Sequence, residues 1–197
     1  MATMCHNQLA VAGPAAELRK FMKAAREKPA FGRPRQRGQA RAPLSFQALL
    51  PLGDRSPEDC YGTPSDEPSF GWENEPETFR KGVLQVGYNF ETRCAPPQRW
   101  VVQVSKGWPF LRFVLGYVKP DTDLAGSIYV RAGKTTAYTM GARRKEVAYA
   151  AHRRCWKADP TDPVYEETRL AMEIEIVWDL LDFLIARWER QLRGCRS

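Results

Sequence analysis

The sequence is poor in the residues and motifs on which most catalytic sites depend. Its 197 residues include only two histidines, His6 and His152, so the commonest catalytic base is nearly absent. It contains no Gly-x-Ser-x-Gly, P-loop or Gly-x-Gly-x-x-Gly motif. We therefore expect a protein that is not an enzyme and that carries no cofactor.

Long apolar runs and an export signal are also missing. A membrane-spanning helix needs roughly 18 apolar residues in a row, and no stretch approaches that length. The segment from Met1 to Gly13 lacks both a charged leader and an uninterrupted apolar core. With 43% hydrophobic residues the chain can still build one sizeable core. We expect a soluble, cytoplasmic, single-domain protein that does not contact a membrane.

The cysteines form no Cys-x-x-Cys pair of the kind found in redox and zinc sites. They are Cys5, Cys60, Cys94, Cys155 and Cys195. Reduced thiols are the simplest interpretation. Zinc would require Cys5-His6 to meet His152-x-x-Cys155, and no spacing motif supports that meeting, so we expect no metal site.

Charge is distributed unevenly along the chain, whose formal net charge is +7. Residues 1–45 carry nine basic and two acidic side chains, and residues 98–157 carry twelve and three. Residues 46–97 carry four basic and nine acidic side chains, and residues 158–197 carry five and nine. This alternation could produce a basic and an acidic face that favour a charged partner, or the fold could mix the charges.

The N-terminal segment predicts a strand followed by a helix. Alternation over His6–Ala12 places Leu9 and Val11 inward, and Pro14 is suited to the first turn of a helix. The predicted helix covers Ala15–Lys28. Its apolar face consists of Leu18, Phe21, Met22 and Ala25.

Two insertions of opposite charge are expected next. Residues 29–43 are rich in proline and glycine and predict a flexible basic loop. Its arginines are Arg33, Arg35, Arg37 and Arg41. They could form a phosphate-contacting arm or simply a solvated loop. Residues 44–52 fit a short strand or a buried turn. The acidic stretch 54–77 predicts a loop docked by Tyr61, Phe70 and Trp72.

The second half predicts a strand, a helix and a hairpin. A central strand runs from Gly82, and a helix follows from Pro97 to Gly107. Phe110–Val118 and Leu124–Val130 form the hairpin. The order of elements favours an α+β protein in which helices pack on one face of an antiparallel sheet, the ferredoxin-like arrangement. Residues 1–131 would form this core, and residues 132–197 a helical extension packed on it.

The C-terminal extension predicts two helices. Arg144–Cys155 reads as a short basic helix and Tyr165–Arg193 as a long amphipathic one. The apolar seam of the long helix is wide, so it could form a homodimer or be covered by residues 132–158. Its polar side carries Glu175, Asp179, Asp182 and Glu189, which could bind metal, imitate a phosphate backbone or, as is usual, face solvent.

Several short motifs resemble the Api92-like family, whose core is a ferredoxin-like domain found in phages and plasmids. The resemblance covers roughly residues 1–131. Its motifs are Met1-x-x-x-Cys5-x-Asn7, Leu9-x-Val11-x-Gly13, Phe46-x-Ala48-Leu49-x-Pro51, Phe90-x-Thr92-x-x-x-Pro96-Pro97, Ser105-x-x-Trp108-Pro109, Leu115-x-Tyr117 and Ala125-Gly126. The resemblance implies an accessory protein of a mobile element, in the cytosol of a bacterial host, and implies no catalytic residue.

Two binding functions follow from these observations. In the first, the protein binds a host protein or ribonucleoprotein and inhibits a defence system such as a CRISPR effector or restriction enzyme. In the second, it binds DNA or RNA directly through the arginine loop and a second basic patch. That patch consists of Arg143, Arg144, Lys145, Arg153 and Arg154. Trp100 or Trp108 could stack on bases, although both fit a core position better. The interrupted basic charge favours the first function.

Overall fold

The structure is a computed structural model that describes residues 4–26, 43–80, 82–120, 122, 124–141 and 165–193. Its strands are β1 (Met4–Pro14), β2 (Ser69–Glu73), β3 (Glu77–Arg80), β4 (Val83–Arg93), β5 (Arg112–Val118), β6 (Ala125–Arg131) and β7 (Lys134–Thr139). Its helices are α1 (Ala15–Ala25), α2 (Phe46–Leu49), α3 (Pro57–Tyr61), α4 (Gln98–Gly107), α5 (Tyr165–Ala186) and α6 (Glu189–Arg193). Within these ranges no helix combines the length and the apolar character needed to cross a membrane.

The seven described strands form one sheet in the order β2-β4-β1-β5-β6-β7, and β3 also pairs with β4. Every pairing is antiparallel. The predicted mixture of helices with an antiparallel sheet is confirmed, as are the central strand β4 and the hairpin β5–β6. The ferredoxin-like arrangement is not confirmed, because β1 runs antiparallel to both neighbours, whereas a split βαβ unit contains parallel strands.

Strand β1 is buried on both of its faces. Leu9 and Val11 point to the first face, as predicted, and join a core formed with α1, α2 and α4. Trp100 of α4 lies in this core, and its Nε1 donates a hydrogen bond to the Phe46 carbonyl at 3.1 Å. Ala10 and Ala12 point to the opposite face and are also buried. A strand covered on both sides requires apolar elements above and below the sheet.

The helices of the predicted core, α1, α2 and α4, lie on the first face, and α5 and α6 of the C-terminal extension cover the second. A Cβ added at Gly116 would lie 3.4–3.5 Å from Ile185, Leu181 and Leu184, which shows how closely α5 approaches β5. Trp188 Nε1 donates to Ser127 Oγ at 2.8 Å and fixes the turn between the two helices on β6. Of the seam side chains that the structure describes, only Phe183 is exposed. The sheet itself therefore buries most of the described seam.

The connecting segments are more regular than predicted. Of the two predicted alternatives for this segment, the strand is wrong, since residues 46–49 form a helical turn with Phe46 buried; Ser45 Oγ caps it by accepting a hydrogen bond from the Ala48 amide. Residues 54–77 were predicted to form a loop, but they contain helix α3 and strand β2. Glu67 fastens this segment by accepting from Ser45 Oγ and the Phe46 amide at 2.7 and 2.8 Å. The sheet also continues beyond the predicted boundary at residue 131, through β7.

Gly126 allows β5, β6 and β7 to approach closely. A Cβ at this position would lie 2.6 Å from the Tyr138 carbonyl oxygen and 2.7 Å from Tyr117 Oη. Because a backbone atom cannot move aside cheaply, Gly126→Ala should lower the free energy of unfolding by about 1–3 kcal/mol. Urea denaturation measures this change. The control is Gly107→Ala at the end of α4, where no atom outside the adjoining residues and the helix's own backbone lies within 4 Å of the added Cβ. The control should be neutral or slightly stabilising, and equal losses in both variants would contradict the close-packing argument.

Candidate functional site

The basic residues predicted to bind a partner lie outside the described residues. These are Arg33, Arg35, Arg37, Arg41, Arg143, Arg144, Lys145, Arg153 and Arg154. The predicted helix Arg144–Cys155 and residues 29–42 of the basic loop lie outside them as well. Trp100 is completely buried and Trp108 packs edge-to-face on Phe21 at 5.5 Å. Trp100 is therefore a core residue and cannot stack on a base.

The acidic residues of the last predicted helix are divided between two helices. Glu175, Asp179 and Asp182 are exposed on α5, whereas Glu189 begins α6 after the turn at residues 187–188. Asp182 Oδ1 accepts a hydrogen bond from Gln8 Nε2 of β1 at 2.9 Å. In the described parts of the chain, no group of three His, Cys, Asp or Glu residues is arranged to hold a metal ion. Cys5 lies in the first-face core and His6 contacts the second-face helix, so this pair cannot bind one ion.

Two tryptophans meet beside the acidic residues of α5. The ring centroids of Trp72 in β2 and Trp178 in α5 are 4.8 Å apart, at an interplanar angle of 49°. Trp178 is three residues after Glu175 and four before Asp182, so both carboxylates are its neighbours on the helix surface. Trp72 remains 50% exposed. The predicted docking of Trp72 into the protein is thus only partial, and half of its indole faces solvent.

A bulge in β2 explains why Trp72 lies on the second face. Phe70 pairs with Phe90, which belongs to the first-face core, and regular alternation would place Trp72 on that same side. The register shifts between the two residues, so that Trp72 pairs with Asn89. The next residue, Glu73, then returns to the first face and contacts Arg26. One extra residue in this strand therefore produces the tryptophan pair.

A row of polar side chains continues from Trp72 across the sheet. Asn89 of β4 pairs with Trp72 on one side and with Gln8 of β1 on the other. Asn89 is 3% exposed. Asn89 Oδ1 and Gln8 Oε1 are both buried, and neither accepts a hydrogen bond from any described residue. Buried amide oxygens normally have donors, so this row has unused capacity to accept hydrogen bonds.

His6 and Glu91 form the next row of the same surface. They are cross-strand partners, and His6 Nδ1 lies 3.1 Å from Glu91 Oε1. The imidazole also meets the Trp178 ring edge-on, with 6.4 Å between centroids. Burial lowers the pKa of His6 below its ordinary value, and the Glu91 carboxylate opposes that shift. His6 is therefore largely neutral near neutral pH.

We call this region the tryptophan surface and define it by Trp72, Trp178, His6, Gln8, Asn89, Glu91 and Asp182. Sequence reasoning considered Trp72 only as a docking residue and His6 only as a zinc ligand. The signal available in the sequence was the alternation within β1, which places His6 and Gln8 together on the face opposite to Leu9 and Val11. The surface combines exposed aromatic area, carboxylates and unused acceptors, which is a chemistry suited to binding a cation.

The chain thus has an antiparallel sheet with helices on both faces and a tryptophan pair at the margin of the second face. No protein-family model matches it, and no curated protein does. Among solved structures it is similar to a protein api92 from Yersinia pseudotuberculosis, with a TM-score of 0.52 and 8% sequence identity. The similarity covers 72% of this chain and 99% of that one. At this identity it shows the fold alone, and it supports the resemblance to the Api92-like family only at that level.

The lowered pKa of His6 gives a prediction with a definite sign. Between the lowered value and the ordinary 6.5, the unfolded chain binds more protons than the folded chain, so stability falls as the pH falls through this window. His6→Gln removes this contribution. Chemical denaturation at several pH values should therefore show a smaller acid-side loss in the variant than in the wild type. Burial raises the pKa of Glu67, so Glu67 changes the pH dependence of stability in the opposite direction, but it is present in both proteins. Identical pH profiles would contradict the assignment.

Proposed function

We propose that this chain is a non-enzymatic binding protein that holds a basic segment of a protein partner on the tryptophan surface. The observation that carries the proposal is the half-exposed Trp72, packed against Trp178 beside the carboxylates of Glu91 and Asp182. Tryptophan is enriched among the few residues that dominate binding energy at protein interfaces. Exposed aromatic rings flanked by carboxylates also attract guanidinium and ammonium groups.

The charge of this surface favours a polypeptide partner over nucleic acid. Glu175, Asp179, Asp182 and Glu91 lie on or beside it, and carboxylates repel phosphates. Direct binding of DNA or RNA stays a prediction that depends on the nine basic residues outside the described ranges. The two functions differ in their response to salt, because phosphate contacts weaken steeply as salt is added.

The biological setting of the proposal comes from the Api92-like resemblance, which the fold likeness to api92 supports. In this setting the chain is an accessory protein of a phage or plasmid, acting in the cytosol of a bacterial host. Its partner would be a host protein or ribonucleoprotein, such as a CRISPR effector or restriction enzyme, which it would inhibit by occupying a basic surface. A homodimer through α5 is compatible with this proposal, and the exposed Phe183 is where it would form.

Capture of partners from a nuclease-treated bacterial lysate tests this function. We expect the tagged wild-type protein to retain a stoichiometric protein partner after nuclease treatment. Trp72→Ala should weaken that complex by about 2 kcal/mol, or roughly thirtyfold in affinity, because it removes the central aromatic contact. The affinity for the identified partner is then measured with purified components.

The matched control is Phe110→Ala. Phe110 is also an exposed aromatic residue, at 64%. It lies just before the start of β5, whereas His6 of the tryptophan surface pairs with Val118 at the other end of that strand. Its removal should leave the affinity unchanged. Loss of every partner on nuclease treatment would identify nucleic acid as the ligand and refute the proposal. Equal weakening by both variants would show that the tryptophan surface is not the binding site.

A further inference from the structure

We propose that the group held on the tryptophan surface is the guanidinium of an arginine and not the ammonium of a lysine. This inference rests on the proposed function and adds the chemical identity of the anchoring side chain. It depends on an observation that the proposed function does not use, namely the two buried amide oxygens without donors at Asn89 and Gln8.

The two oxygens belong to neighbouring side chains. Gln8 and Asn89 are directly opposite each other in β1 and β4, so their Cβ atoms lie about 5 Å apart. Gln8 already uses its amide nitrogen to donate to Asp182, which leaves its oxygen as the group that needs a donor. A ligand that satisfies both amides must therefore present at least two donors in a fixed arrangement.

The position of Trp72 decides the shape of that ligand. Trp72 is the neighbour of Asn89 on the side away from Gln8, so the acceptor row ends at an indole ring that is half exposed. Asn89 Oδ1 is shielded from solvent, so a group that bonds it must displace part of its cover, and the half-exposed indole lies beside it. A planar cation can stack on the indole and direct its N–H groups toward the adjacent Asn89 amide, while the carboxylates of Glu91 and Asp182 attract its charge.

Guanidinium fits these requirements better than ammonium. It is planar, presents five N–H donors in a rigid fork, stacks on aromatic faces and is weakly hydrated. Ammonium is a compact, strongly hydrated charge with three donors, and it would have to lose that hydration to enter the row. The carboxylates attract both cations, so the unused amide oxygens provide the discrimination between them.

The test compares three short peptides of identical length on the full chain. One is rich in arginine, one has lysine at the same positions, and one has citrulline, which keeps the planar shape without the charge. Binding is followed by the change in tryptophan fluorescence. We expect the arginine peptide to bind about tenfold more tightly than the lysine peptide, because charge-assisted hydrogen bonds to the amides are added. The citrulline peptide should not bind measurably.

Two variants assign the discrimination to the acceptor row. Gln8→Met and Asn89→Leu remove one acceptor each at nearly constant volume, and each should lower arginine affinity toward that of lysine while leaving lysine affinity unchanged or higher. Gln8 is only half-buried, so Gln8→Met keeps the test valid if Asn89→Leu does not fold. The control is Gln103→Met, which removes an exposed amide from α4 on the first face and should preserve the arginine preference.

The outcomes separate this inference from the proposed function. Equal affinities for arginine and lysine peptides, both lost in Trp72→Ala, would overturn the arginine assignment and leave the basic-segment function intact. An arginine preference that survives Gln8→Met would overturn the role of the acceptor row. Failure of both charged peptides to bind would refute the inference together with the basic-segment function.

Discussion

The burial of β1 on both faces is the constraint on which the rest of this structure depends. Large side chains such as Leu9 and Val11 fill one core, while Ala10 and Ala12 leave room on the other side for helices to lie close to the sheet. A central strand of this kind is stable only between two apolar layers. The chain provides the first layer with α1 and α4 and the second with α5 and α6, which are distant in sequence but meet on the same strand.

Among the described residues, α5 makes most of its sheet contacts with β1, β5 and β6, and the tryptophan surface lies at the margin of the second face formed by β4 and β2. Toward this margin Trp178 of α5 meets Trp72 of β2, and the second face carries Gln8, Asn89 and Glu91 in place of apolar residues. Polar side chains at the border of a packed layer are half-desolvated, which strengthens their interactions with an incoming charge. The position of the candidate site is thus a consequence of how far one helix extends over a wider sheet.

Much of the first layer could be predicted from sequence, because its elements have clear periodicity. Alternation identified β1 and the β5–β6 hairpin, and helical spacing identified α1 and α4. A helical C-terminal extension packed on the core was also predicted, but not that it covers the second face, because Ala10 and Ala12 are too small to distinguish a buried face from an exposed one by pattern. The tryptophan surface was missed because it combines residues from β1, β2, β4 and α5, and because register within β2 is set by its pairing with β4.

The bulge between Phe70 and Trp72 makes the identity of this surface sensitive to the register of β2 on β4. If Gly71 instead stood opposite Asn89 and the strand paired regularly, the indole would turn toward the first-face core and the Glu73 carboxylate toward the second face. The overall fold could tolerate such a change at an edge strand, while the exposed aromatic group would disappear. Relatives of this chain could therefore share its architecture and differ in what they recognise through a shift of one residue in the pairing of β2 with β4.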